Sequence, residues 1–150
     1  MTEHLTDQPR EACGLVGIYA PNEDVSRMAF FGLFALQHRG QEAAGIAVSD
    51  AHALSIHKNI GLINHVFNSQ IMAGLKGTFA IGHTRYSTTG SSTIRNVQPF
   101  LIETVNGPLA LAHNGNLVNS ADLRKELLEN GTFPFFATAS QAEQTNAQAA

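Results

Sequence analysis

The apolar residues of this sequence fall into short runs separated by turn residues, and this spacing restricts the fold more than any other feature. The first run, 13–20, is bounded by Pro21-Asn22 and predicts a strand buried on both faces. A segment from Asp24 to about His38 is apolar around most of a helix circumference, which predicts a buried helix. The later runs show no regular β-α-β order, so we predict an α+β fold with prominent antiparallel pairing.

Turn signals divide the rest of the chain into short elements. We predict strands at 45–49, 53–57, 78–83, 100–104 and 109–113, helices at 64–72 and 119–131, and a loop at 87–96. The hairpin prediction rests on Asn106-Gly107, which favours a tight turn. The last helix is predicted from Asn119 and Asp122, which resemble a capping arrangement, and from a stop at Gly131.

Composition excludes several classes of protein. The chain has 150 residues, which suits one domain, and its net charge of −3 comes without a basic patch, so no nucleic-acid partner is expected. No apolar run approaches the roughly 20 residues that cross a bilayer, so we expect a soluble, cytoplasmic protein. Only 14% of residues are charged, against roughly 25% in typical domains, which predicts a surface that meets a partner or another domain.

The two ends differ from the middle. Residues 1–12 are polar and predict a leader or propeptide, whereas residues 137–150 are rich in Ala and Gln and predict an atypical tail. The folded domain is therefore expected within residues 13–136, and its first residue is the only cysteine, Cys13. One cysteine excludes an intrachain disulfide and an all-cysteine metal site.

Cys13 has two interpretations. It is either a small buried apolar residue or a nucleophile placed where the polar leader ends. Removal of the leader would make it the N-terminal residue, with its own α-amine beside its thiol. The reference pKa of an α-amine, about 7.7–8.0, suits a base for that thiol.

Two further motifs leave similar alternatives. Asn114 and Gly115 in HNGN could donate an amide N–H and a backbone N–H to one oxyanion, or form a plain turn. Arg85 in HTRYSTTG could bind a carboxylate bidentately or form a structural ion pair. The seven histidines show no metal-binding spacing, so no metal site is predicted.

Taken together, these segments resemble the class II glutamine amidotransferases, which use an N-terminal cysteine nucleophile. Within that class they are similar to the amidophosphoribosyltransferase family. The resemblance rests on ACGLVGIYAP, ALQHRGQEAAGIAV, IGHTRYSTTGSS followed by NVQPF, and LAHNGNLVN, which occur in the family's order.

The resemblance implies an αββα sandwich of the N-terminal nucleophile hydrolase type, incomplete at the C-terminus. It implies that Cys13 attacks glutamine, that Asn114 and Gly115 form the oxyanion hole, and that Arg85 holds the substrate carboxylate. The family's usual Asp for the substrate ammonium is replaced here by Gln141.

The resemblance also implies what lies beyond this chain. In the full-length family, ammonia reaches phosphoribosyl pyrophosphate on a further domain and forms phosphoribosylamine for purine biosynthesis. Magnesium is expected in that domain, no cofactor is expected in this chain, and the full-length family is expected to form homo-oligomers. Two alternatives stay open: a non-catalytic truncated fragment, or another class II amidotransferase.

Overall fold

A computed structural model describes residues 13–50, 52–86, 93–115 and 117–130. The strands and helices are, in chain order, β1 (Gly14–Tyr19), α1 (Val25–Ala35), β2 (Ala43–Ser49), β3 (Leu54–Ile60), α2 (Ile63–Val66), α3 (Ser69–Gly74), β4 (Phe79–Arg85), β5 (Phe100–Thr104), β6 (Gly107–Leu111) and α4 (Ser120–Glu129). Short 3-10 turns occupy Gln37–Arg39 and Ile94–Asn96. This mixture of helices and antiparallel strands confirms the predicted α+β class.

The main sheet has four antiparallel strands in the order β1-β4-β2-β3. Strand β4 lies between β1 and β2, so that Thr84 is paired with both Gly14 and Ala44. Because side chains alternate between the faces of a strand, Ala44, Ile46 and Val48 point to one face and enter the hydrophobic core. The central position of β4 places its C-terminal residues between two neighbouring strands.

Helix α1 covers this apolar face of the sheet. Val25, Ala29 and Leu33 are buried along one side of the helix. A Cβ at Gly82 would lie 2.8 Å from a Leu33 methyl group, so the glycine allows α1 to lie close to β4. The predicted start of the helix is confirmed, because Asp24 Oδ1 accepts a hydrogen bond from Arg27 N at 3.0 Å.

Two burial predictions are wrong. Helix α1 is not buried all round, since Phe31 and Phe34 are 61% and 51% exposed, because the sheet covers only one side of it. Strand β1 is not buried on both faces, since Leu15 and Tyr19 are 45% and 66% exposed. The reason is its position at the edge of the sheet, with α1 against one face only.

The hairpin β5-β6 forms a second, two-stranded sheet. It lies against the main sheet and forms with it an open, apolar pocket of about 250 Å³, lined in part by Ala47, Ile81 and Leu109. Gly107, at φ +105°, begins β6, so this strand starts two residues before the predicted 109. The described layers are therefore helix, sheet and hairpin, as expected for part of an αββα sandwich.

Local capping explains other differences from the predicted elements. The helix predicted at 64–72 is divided into α2 and α3, because Asn68 Oδ1 caps a new helix by accepting from Ile71 N at 2.9 Å. Helix α4 begins after Asn119 as predicted, but the Asn119 side chain makes no capping hydrogen bond. The predicted leader 1–12, tail 137–150, helix stop at Gly131 and most of the 87–96 loop lie outside the described residues.

Candidate active site

Cys13 directly precedes β1, and its half-buried thiol lies at one end of the β1–β4 strand pair. Tyr86 N donates to Cys13 Sγ over 3.4 Å, and the thiol is 3.6 Å from Tyr86 O. These contacts join residues 73 positions apart. Extending the β1–β4 register one position beyond Gly14 and Thr84 places Cys13 opposite Arg85, so the strand pairing brings the cysteine to the Arg85-Tyr86 segment.

Thr84 strengthens this junction from the α1 side of the sheet. Its side chain is 0% exposed, and its Oγ1 accepts a hydrogen bond from Gly14 N at 3.1 Å. A Cβ at Gly14 would lie 2.7 Å from the same Oγ1, so only glycine permits this approach. Sequence reasoning did not single out Thr84, whose role depends on the strand register.

Arg85 ends β4 and is 7% exposed, which is uncommon for an arginine. The turn after α1 packs against its backbone: a Cβ at Gly40 would lie 2.8 Å from the Arg85 carbonyl carbon, and Glu42 N donates to Arg85 O at 3.1 Å. The neighbouring Arg39 is exposed in the 3-10 turn. The motif HRG therefore contributes a close backbone contact at Gly40.

Asn114 reaches Cys13 from the segment that follows β6. Its Nδ2 donates to Cys13 O at 2.7 Å, although the two residues are 101 positions apart. Gly115 is the next residue along this segment. Among the predicted site residues, Asn114 contacts Cys13, and Arg85 directly precedes Tyr86, whose backbone contacts the thiol. Gln141 lies outside the described residues.

His83 is buried in β4, two residues before Arg85. It is 1% exposed, and the register places it between Leu15 and Gly45. Burial lowers its pKa to about 4, with Arg85 and His113 adding unfavourable charge and the His113 backbone acting in the opposite direction. With a pKa of about 4, the imidazole is neutral at pH 7.

Neither a metal centre nor a membrane span is present in the described part of the chain. No group of three or more His, Cys, Asp or Glu residues within it has a metal-binding arrangement. None of its helices is long and apolar enough to cross a membrane.

Comparisons with known proteins identify the family. A family model described as class-II glutamine amidotransferases matches residues 62–140. The chain belongs to this family. An amidophosphoribosyltransferase from Synechococcus elongatus is 62% identical to this class-II amidotransferase chain over 122 residues, covering 81% of the chain and 25% of the relative. The chain therefore spans about a quarter of the length of that relative.

Solved structures show the same relationship. A structure described as the allosteric regulatory enzyme of purine biosynthesis is 46% identical with a TM-score of 0.74, covering 79% of this chain and 26% of the other. A glutamine phosphoribosylpyrophosphate amidotransferase from B. subtilis is 42% identical with a TM-score of 0.73, covering 85% and 27%. The predicted class II amidotransferase fold is confirmed by these neighbours.

Proposed function

We propose that this chain is the glutaminase portion of an amidophosphoribosyltransferase, which hydrolyses glutamine to glutamate and ammonia. The observation that carries the proposal is the meeting of Cys13, Arg85 and Asn114 from three distant segments. Asn114 Nδ2 lies 2.7 Å from Cys13 O, and Cys13 Sγ lies 3.4 Å from the nitrogen of Tyr86, which follows Arg85. These contacts support the proposal by bringing an amide donor to the nucleophile, with Arg85 next to Tyr86 on the neighbouring strand.

In the proposed reaction, Cys13 Sγ attacks the side-chain amide carbon of glutamine. The thiol proton passes through the α-amine to the departing nitrogen, the C–N bond breaks, and ammonia leaves a thioester. Water then hydrolyses the thioester to glutamate and restores the thiol. Asn114 and Gly115 would donate to the oxygen that becomes negatively charged. An amide nitrogen has two N–H groups, so Asn114 can keep its bond to Cys13 O while it donates to substrate.

Arg85 is proposed to bind the α-carboxylate of glutamine. Its 7% exposure means that a carboxylate bound there would be shielded from water, where a bidentate pair with guanidinium is strong. The α-ammonium of glutamine would be held less firmly with Gln141 in place of an Asp, since a neutral amide is a weaker partner for a cation.

The free α-amine requires removal of residues 1–12, and we propose that this leader is a propeptide. We further propose that a phosphoribosyltransferase domain, with its magnesium, uses the ammonia and phosphoribosyl pyrophosphate to make phosphoribosylamine. The described residues contain no group of three or more His, Cys, Asp or Glu residues that could hold a metal. We also propose that the full-length protein forms a homo-oligomer and is located in the cytoplasm.

The test is an assay of the purified chain with glutamine and with asparagine, together with intact-mass spectrometry. We expect glutamate release from glutamine only, a mass lacking residues 1–12, and loss of activity in Cys13→Ala, because the thioester cannot form without the thiol. Release that persists in Cys13→Ala, or absence of release from the wild type, would reject catalysis by this chain. An active protein that retains Met1 would reject the propeptide.

A further inference from the structure

Lys58 of β3 holds a neighbouring segment by its ammonium group. Its Nζ donates to Val97 O at 2.6 Å and to Pro99 O at 3.0 Å, and it lies 5.4 Å from the centroid of the Phe100 ring. We call residues 97–100 the strap. Burial lowers the pKa of Lys58. These contacts tie the strap to the main sheet.

Gly45 of β2 lets the strap lie directly on the sheet. It is paired with Lys58 on one side and His83 on the other, and a Cβ at this position would collide with the carbonyl oxygen of Gln98. Val97, at 1% exposed, and Pro99 are both buried. The backbone of the strap is therefore located by the pairing of three strands.

Gln98 connects the strap to the candidate active site. Its Oε1 accepts a hydrogen bond from His113 N at 2.6 Å, and the next residue, Asn114, donates to Cys13 O at 2.7 Å. Strand β6 ends at Leu111, so its ladder no longer fixes the backbone at 113–115. The Gln98 contact supplies a restraint at the point where the ladder stops.

We propose that Gln98, located by Lys58, is a positioning residue that aligns Asn114 and Gly115 as oxyanion donors. This inference rests on the proposed glutaminase function. Oxyanion donors act over hydrogen-bond distances, and a catalytic arrangement must be held within about 0.5 Å. Loss of one donor lowers kcat by about 10²–10³-fold, and misalignment is expected to cost part of that.

The first test compares Gln98→Leu with Gln98→Glu in glutamine hydrolysis. Leucine removes the acceptor, and we expect kcat to fall about 10–100-fold while KM for glutamine changes little, because Arg85 is untouched. Glutamate keeps an acceptor oxygen at the same reach and should recover most of kcat. The exposed Gln70→Leu serves as the matched control. Wild-type kcat in Gln98→Leu would overturn the inference while leaving the proposed function intact.

The second test replaces Lys58 by Met, which keeps the aliphatic length, or by Arg, which keeps the donors. We expect Lys58→Met to lower kcat in the same way and Lys58→Arg to recover part of it, with the exposed Lys76→Met as control. Equal kcat in the Met and Arg variants would argue against the role of Lys58. If Gln98→Leu does not fold, Gln98→Asn decides the question, because its shorter amide cannot reach His113 N and should lower kcat equally.

Hydrogen exchange tests the proposed restraint without relying on catalytic activity. The amide of His113 should exchange faster in Gln98→Leu and Lys58→Met than in the wild type, because it loses its acceptor. Exchange at 112–115 that is unchanged in both variants would reject the strap as a restraint, even if the chain proved inactive. If the wild-type chain showed no glutaminase activity but exchange at His113 were faster in both variants, the restraint would be supported and only the proposed glutaminase function would be rejected.

Discussion

Thr84 shows how one buried side chain determines the position of the candidate nucleophile. Its Oγ1 accepts from Gly14 N at 3.1 Å, and Gly14 follows Cys13 directly. The thiol lies on the opposite face, against Tyr86. The threonine therefore fixes the peptide next to the cysteine without contacting the substrate side of the site.

We expect Thr84→Val to lower the free energy of unfolding by about 1–3 kcal/mol, because Gly14 N loses its acceptor inside the protein. Thr84→Ser keeps that acceptor and loses only a methyl group, so it should retain the position of Cys13 and most of kcat. Urea unfolding and the glutaminase assay together measure both effects. A valine variant with wild-type stability would contradict this role.

At the scale of elements, the candidate site depends on how the turn after α1 packs against the end of β4. Gly40 is buried with its α-carbon against the backbone of Thr84 and Arg85, where a Cβ would lie 2.8–2.9 Å from three backbone atoms. Backbone atoms cannot move aside as a flexible side chain can. The sequence motif HRG and the motif HTRY thus meet through main-chain contact.

We expect Gly40→Ala to displace Arg85 and to raise KM for glutamine about tenfold, because weakening one charged hydrogen bond costs about that much in binding. The change in kcat should be smaller. Steady-state kinetics measures KM and kcat separately. Gly17→Ala is the matched control, since nothing lies within 4 Å of its added Cβ. Equal KM values in the two variants would show that the turn does not locate Arg85.

For the whole molecule, the buried His83 makes stability depend on pH. Its folded pKa of about 4 lies below the ordinary 6.5, so the unfolded chain binds the proton first as pH falls. The contribution of neutral His83 to the free energy of unfolding is therefore fully present above about pH 6.5 and is lost progressively as the pH falls towards 4. The groups that act on the ring are Arg85 and His113: their charges disfavour its protonation, and the His113 backbone only partly offsets the cost of burial.

We expect this titration to cost about 2 kcal/mol of unfolding free energy between pH 7 and pH 5. His83→Gln should remove most of that loss, because glutamine does not titrate, whereas the exposed His65→Gln should leave it unchanged. Urea unfolding at the two pH values measures the difference. The same pH dependence in wild type and His83→Gln would mean that His83 does not control acid stability.

Much of the architecture follows from local patterns in the sequence. The apolar runs locate β1, β2 and β4 to within about two residues, because strand formation follows side-chain alternation and turn residues. Asp24 similarly determines the start of α1 by capping it. Burial was predicted less well: Phe31 and Tyr19 are exposed, because apolar content alone does not say which face a neighbouring element covers.

The sequence by itself determined the α+β class, the family and the candidate residues Cys13, Arg85 and Asn114, since these depend on local pattern and on motifs. Only the tertiary structure decided how they meet. The antiparallel register of β1 and β4 brings Cys13 to Tyr86, and the hairpin returns Asn114 to Cys13 across 101 residues. Lys58 and Gln98 acquire a role only through that pairing, because contacts between distant segments depend on strand order and register, which no local pattern contains.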